Sequence, residues 1–339
     1  MRLVTFLNSQ QKEEVGLVHS TQSTSVIIPI IQAIQSLGLQ NELSTFPWFT
    51  GTLGMLTVIR EQNSCLPFLQ RISEACLENR IPLSIQLPVS QTQLLSPIPR
   101  PVSMRDGYAF RQHVEAARRN RGVPMIPEFD HFPVFYFTNH LAITGPGTVE
   151  VQKLACEKLD FELEVAVVIG RLGKNIPASQ ADSYIFGYMV MNDWSARTLQ
   201  MEEMKLNLGP AKGKDFATSL GPYLITRDEL QKQAIPGPYG ERHDLKMKAF
   251  INGKQLSDGN LKDMSWTFAQ IIERASYGVT LYPGEVIGSG TVGTGCLLEL
   301  NGSKLTDNLW LQPGDEVVME VDVLGRLVNQ IAVGKEESH

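Results

Sequence analysis

From Met104 onward the chain is cut by glycine and proline into short apolar runs: FPVFYFT, FELEVAVVIG, YIFGYMVMND, GPYLIT, LKMKAFING, GEVIGSG, CLLELNG and DEVVMEVDVLGRLVNQI. Runs of that length, bounded by turn residues, read as β-strands with few helices between them. The expected class is therefore α+β and β-rich, a barrel or a sandwich. One segment in this part, RDGYAFRQHVEAARRNRG, reads as a helix.

The first hundred residues have a different texture. MRLVTFL and VGLVHS read as strands, Val26 to Leu37 as a helix, and the region ends in LLSPIPRPVS, where Pro97, Pro99 and Pro101 resist both helix and central strand. Leu94 to Ser103 is taken as a boundary, giving residues 1–100 as a small N-terminal β-rich domain and 101–335 as a catalytic domain. The length of 339 residues agrees, since a domain takes roughly 150. There is no internal repeat and no low-complexity segment.

Charge excludes some partners. The net charge is −6 and no basic block stands out, which argues against nucleic acid and for a small-molecule ligand. Cys65, Cys76, Cys156 and Cys296 form no CxxC pair and are expected to be reduced thiols of a cytoplasmic protein. The N-terminus does not read as a signal peptide, and the apolar stretch Ser25 to Ile34 is short and broken by Pro29, so no membrane span is expected.

In FELEVAVVIG, alternation puts Phe161, Leu163, Val165, Val167 and Ile169 on one face and Glu162, Glu164, Ala166 and Val168 on the other. Two carboxylates about 7 Å apart along a strand could converge on one cation, or could form the solvated side of an amphipathic strand. YIFGYMVMND runs into Asp193, which reads either as a cation ligand or as the N-cap of the helix WSARTLQMEEMK. Oxygen ligands without a His or Cys cluster would select Mg²⁺, Ca²⁺ or Mn²⁺ over zinc.

Arg197 and Gln200, at i and i+3, point together, and Lys212, Lys214 and Thr218 follow in a glycine-bounded loop. Such groups near a cation could stabilise an oxyanion; singly, each reads as a surface residue. In the helix-like segment Asp106, Phe110 and His113 share a face, Ser103 to Asp106 resembles a capping box, and Arg118, Arg119 and Arg121 suit a C-terminus. A histidine near an acidic metal site is a natural proton acceptor. Gly288, Gly290 and Gly293 form a GxGxxG string, but CLLEL after it reads as a strand, against a dinucleotide fold. Glu299 in that apolar strand would need a partner, and His113 is a plausible one.

Together these strings resemble the fumarylacetoacetate hydrolase family: DGYAFRQH with Asp106, Tyr108 and His113; FELE with Glu162 and Glu164; NDWSAR with Asp193 and Arg197, then Gln200; GKDFATS with Lys214 and Thr218; SGTVGTGCLLEL with Thr291 and Glu299. The resemblance implies a fumarylacetoacetase-type C-terminal mixed β-roll with a small N-terminal β-domain, and a homodimer. It implies a divalent cation on Asp106, Glu162, Glu164 and Asp193. It also implies that His113, oriented by Glu299, activates water to attack a 1,3-diketo acid, while Arg197, Gln200 and Lys214 stabilise the oxyanion. Tyr108, Tyr136 and Thr291 would contact the substrate, and no organic cofactor is needed.

The implied activity is hydrolysis of a carbon–carbon bond in a fumarylacetoacetate-like or acylpyruvate-type acid. The alternative is a 2-oxo acid decarboxylase, tautomerase or hydratase on the same site. One position departs from true fumarylacetoacetases: their arginine nine residues past the histidine is Gly122 here, with Arg119 and Arg121 nearby. Glu115 stands two residues past His113 and Ala116 three, unlike the histidine–glutamate spacing of short decarboxylating relatives.

Overall fold

A computed structural model of the chain describes residues 1–21, 24–207 and 209–334. Residue 335, the expected end of the second unit, lies outside them. Among the described residues, eleven strands form one mostly antiparallel sheet. Across it lie Leu87–Pro88, Ser25–Pro29, Glu13–Ser20, Arg2–Leu7, Thr218–Thr226, Ile185–Asp193, Leu163–Ile169, Val286–Gly288, Met104–Gly107 and Phe135–Phe137. Ile143–Thr144 runs parallel to the start of Thr218–Thr226. The first strand of the chain thus joins the central strands, through Arg2 opposite Ile225 and Leu3 opposite Leu224.

Alternation along Leu163–Ile169 serves two cores. Leu163, Val165, Val167 and Ile169 pack with Met247, Val317 and Phe268 between the large sheet and a five-stranded second sheet that contains Lys246–Ile251 and Glu316–Val321. Ala166 and Val168 pack on the other face with Ile34, Ile59, Phe68 and Ile72, from helices Ile30–Ser36, Met55–Arg60 and Gln62–Leu77. Every residue of the strand is buried. Each Val, Ile or Leu so covered contributes about 1.5–3 kcal/mol, so the central strands are a rigid support. No helix among the described residues is long and apolar enough to cross a membrane.

Three local expectations are corrected. Val26 to Leu37 is not one helix: Ser25–Pro29 is a strand beside Glu13–Ser20, and Ile30–Ser36 follows with Pro29 at its N-cap. A β-branched run with a sheet edge to join prefers the sheet. The segment from Met104 is also divided, into strand Met104–Gly107 and helix Arg111–Asn120, so Asp106 and His113 do not share a helix face. Phe110, not Ser103, is the N-cap, while Arg118 and Arg119 do lie in the last turn.

CLLELNG, expected as a strand, instead contains the helix Leu297–Gly302, with Glu299 in its first turn. The glycine string does precede a helix, as a dinucleotide site would require. The helix N-terminus is nevertheless already filled. Asp160 accepts the amides of Leu297 (2.7 Å) and Leu298 (3.0 Å), where a phosphate would sit.

Candidate active site

The neighbouring strands Leu163–Ile169 and Ile185–Asp193 pair with Leu163 opposite Asn192 and Glu164 opposite Met191. That register brings Glu162, Glu164 and Asp193 to one end of the sheet. Asp106 arrives from Met104–Gly107, opposite Gly288. One oxygen from each of Asp106, Glu162, Glu164 and Asp193 lies within 4.8 Å of the others, and all four side chains are buried. The solvated acidic face is thus excluded, and Asp193 is not a helix N-cap: Ala196 holds that place for Arg197–Met204.

Burial of four carboxylates needs positive charge and donors. Lys214 Nζ donates to Glu162 and to Asp193 Oδ2 (2.8 Å), and Arg197 Nη2 donates to Glu162 Oε1 at 2.7 Å. Tyr136 donates its hydroxyl to Asp193 Oδ2 at 2.6 Å. The Gly290 amide donates to Glu164 Oε2 (2.9 Å) and Asp106 Oδ1 (3.2 Å), while Thr291 lies 3.4 Å from Glu164 Oε1. Gly288 leaves the space Asp106 occupies, since a Cβ there would stand 2.3 Å from Asp106 Oδ1.

These partners do not balance the acids. Burial, then Asp193, raises the Asp106 carboxyl to about 7, and burial with Asp106 lifts Glu164 well above its usual range. Glu162 goes the other way: burial would raise it, but Lys214 and Arg197 hold it low. Asp193 Oδ1 is buried with no hydrogen-bond partner among the described residues. Excess negative charge, an orphaned oxygen and an all-oxygen donor set fit a hard divalent cation.

Beside the acids, His113 Nδ1 lies 2.7 Å from Glu299 Oε2, and Glu299 Oε1 accepts the Thr294 amide at 2.9 Å. With Nδ1 engaged, Nε2 is the nitrogen left to exchange a proton. Tyr108 packs edge-on against the imidazole at 5.9 Å, and burial pushes its phenol up to about 12, so it stays protonated at neutral pH. A cavity of about 760 Å³ opens over these groups, lined by ten of the twelve residues to which the resemblance gives a role; Glu164 and Asp193 are not in its wall.

Arg197 Nη1 and Gln200 Oε1 meet at 2.9 Å, and Arg197 and Lys214 are buried rather than solvated. Thr218 is the register partner of Asp193 and Lys212 pairs outside with Asp215; neither lines the cavity. Arg121 lies at the cavity wall, whereas Arg119 and Gly122 do not, and Glu115 pairs with Arg111.

Two positioning residues carried no motif. Asp160, besides capping the Glu299 helix, accepts Arg197 Nε at 2.8 Å, and so ties Arg197 to that helix. Glu203 accepts the amides of Ala211 (3.3 Å), Lys212 (2.5 Å) and Gly213 (3.2 Å), anchoring the loop that ends in Lys214. Asp160 could have been noticed as a third acid in DFELE; nothing marks Glu203 out from its exposed neighbours.

Comparison with known proteins places the chain beside one family. The family described as "Fumarylacetoacetate (FAA) hydrolase C-terminal" matches residues 103–332. A fumarylacetoacetase of Bos taurus is 30% identical over 315 residues, covering 77% of this chain and 75% of the relative. The oxaloacetate tautomerase YisK of Bacillus subtilis is 30% identical over 254 residues, 73% of this chain and 76% of that one. The solved fumarylacetoacetate hydrolase of Exiguobacterium antarcticum superposes with a TM-score of 0.67 at 21% identity, over 98% of this chain and 100% of the other, which shows a shared fold. A match over most of its length and a common fold establish that the chain belongs to the fumarylacetoacetate hydrolase family.

Proposed function

We propose that the protein hydrolyses a carbon–carbon bond in a 1,3-diketo acid of the fumarylacetoacetate or acylpyruvate type. The observation that carries this reading is the His113–Glu299 hydrogen bond at the wall of a cavity that Asp106 and Glu162 also line, with Glu164 and Asp193 clustered against those two acids. A base oriented by a buried acid, beside a place for a polarised carbonyl, is the equipment of water attack.

Asp106, Glu162, Glu164 and Asp193 would hold a divalent cation, Mg²⁺, Mn²⁺ or Ca²⁺, which when bound supplies Lewis-acid polarisation of the substrate's oxygens. His113 Nε2 takes a proton from water as the water oxygen attacks the distal carbonyl carbon. Glu299 keeps the tautomer and steadies the imidazolium. Arg197, Gln200 and Lys214 stabilise the oxyanion. The carbon–carbon bond then breaks, its electron pair leaves with the pyruvate-type or acetoacetate-type half, and that carbon takes up a proton. Tyr108, Tyr136 and Thr291 orient the substrate.

A second reading, tautomerisation or decarboxylation of a 2-oxo acid, is favoured by the 30% identity to an oxaloacetate tautomerase. In it His113 moves a proton on carbon or oxygen and no water adds. Product analysis decides: with Mn²⁺, an acylpyruvate should yield pyruvate and a carboxylic acid, whereas turnover of oxaloacetate alone would replace hydrolysis with the second reading. The proposal includes residues 1–100 as an accessory domain and a cytoplasmic homodimer, the latter checked by light scattering.

A further inference from the structure

Helix Arg197–Met204 changes character along the face it turns to the cavity. Arg197 and Gln200 stand among the carboxylates, while Met201 and Met204, at i+4 and i+7 from Arg197, line the same cavity further out. Both methionines are open for side chains of their size, at 41% and 49% exposed, and Val134 in the same wall is 47% exposed. Pro210 adds to this wall.

Helix Arg111–Asn120 runs outward in the same way, with His113 innermost, Ala117 one turn on, and Asn120 and Arg121 at the rim. Asn120 donates its amide to the Glu299 carbonyl at 3.3 Å. Among the described residues, Arg121 is the one charged group in this outer half. Its Nε donates to the Ala117 carbonyl at 3.1 Å.

Large apolar side chains left open at the mouth of a charged cavity mark where an apolar part of a ligand is covered. Methionine suits such a wall because its flexible thioether adapts to chains of different length. Met204 lies roughly 6 Å further along the helix than Gln200, which is room for a chain of about four or five carbons. A substrate ending in a second carboxylate would lay its apolar stem here as well, but would depend on Arg121.

We infer that the acyl half of the substrate is an unbranched aliphatic chain lying on Met201, Met204, Val134 and Pro210, rather than an acyl group ending in a carboxylate. This rests on the reading that a 2-oxo acid binds over the carboxylate floor, and adds to it the class of substituent.

N-alkyl oxamates test the wall apart from the chemistry, since they carry a 2-oxo-acid-like end and a tail but need no turnover. Calorimetry of the full chain with Mn²⁺ is expected to show affinity rising about fourfold per methylene from N-methyl to N-pentyl oxamate, matching ~0.8 kcal/mol for each buried CH₂. The double variant Met201→Ser, Met204→Ser should reduce that slope to less than about twofold per methylene, and Arg121→Ala should leave it as it was. A tail ending in carboxylate should bind more weakly than the alkyl tail of equal length.

A flat series, including one in which even the longest oxamate fails to bind, would overturn the inference. So would tighter binding of the carboxylated tail that is lost in Arg121→Ala. Failure to hydrolyse acylpyruvates, with the affinity slope intact, would count against the proposed reaction and leave the apolar wall standing.

Discussion

His113 Nδ1 and Glu299 Oε2 lie 2.7 Å apart although 186 residues separate them in the chain. Helices Arg111–Asn120 and Leu297–Gly302 are packed so that the imidazole has one fixed orientation and a carboxylate to support its charge. Glu299→Gln keeps the size and removes the charge. Its kcat on the best acylpyruvate is expected to fall about 100-fold or more with KM within about threefold, and His113→Ala at least as far. Steady-state kinetics in saturating Mn²⁺ checks this, and a Glu299→Gln enzyme as fast as the parent would remove the pair from the mechanism.

Asp193 and Glu164 are expected to govern cation binding. Loss of a partner behind a ligand already costs about 10–100-fold in metal affinity, so Asp193→Asn or Glu164→Gln should weaken Mn²⁺ by more than about 100-fold. Titration calorimetry measures it. Affinity unchanged in both variants would rule out the carboxylate floor as the site.

Proton uptake gives a stability signature. Asp106 holds its proton up to about pH 7 in the fold, whereas a free carboxyl releases it near 4. Between those values the folded state binds more protons, so this contribution is complete below the unfolded value and is lost as pH rises through about 7. Glu162, held low by its cations, acts oppositely only below the ordinary carboxylate range. The Tm of metal-free protein is therefore expected to drop between about pH 5.5 and about pH 8, and Mn²⁺ to restore it at the higher pH. A Tm that rises over that interval without metal would contradict the crowded, proton-sharing acids.

Gly288→Ala adds one methyl where Asp106 Oδ1 would be 2.3 Å away and Met191 Sδ 2.8 Å. Asp106 must turn aside, and Mn²⁺ affinity is expected to fall at least about tenfold. Calorimetry alongside circular dichroism separates this from unfolding. A folded variant with parental affinity would show that the close approach is not needed.

Glu203 acts through the loop it anchors. With the Glu203→Ala side chain unable to accept the amides of residues 211–213, Lys214 loses its fixed place beside Glu162 and Asp193. A misplacement of about 1 Å near reacting groups can cost about 100-fold, so kcat should fall between about tenfold and 100-fold while Tm moves little. Glu203→Gln, which retains one acceptor, should recover part of the loss.

What could be read from the chain follows the range of the interactions concerned. The short apolar runs FELEVAVVIG and YIFGYMVMND identified the central strands, because a strand buried on both faces is apolar wherever it lies. Residues Arg105–Gly107 read as helix because their strand partners, Val286–Gly288, come from the far end of the chain. Leu297–Gly302 read as strand because its cap, Asp160, lies 137 residues upstream. The candidate residues were named through the resemblance of short strings to a family, and the fold brings them to one end of the sheet. That Glu162 and Glu164 are buried was not legible, since their cover of Lys214, Arg197 and Gly290 arrives from elsewhere. Asp160 and Glu203 act on backbone amides and leave no pattern.

The pairing of Arg2–Leu7 with Thr218–Thr226 bears on how this protein can be cut. A fragment beginning near residue 103, where the family match starts, would leave Leu224 and Ile225 on an open strand edge. It would also strip Ala166, Val168, Met189 and Met191 of their cover. Unpaired edges and bare apolar faces recruit other chains, so the fragment should be recovered as aggregate. The first hundred residues serve as the seal of the sheet that holds Asp193 and Glu164, and any truncated or fused version must keep that seal or supply another.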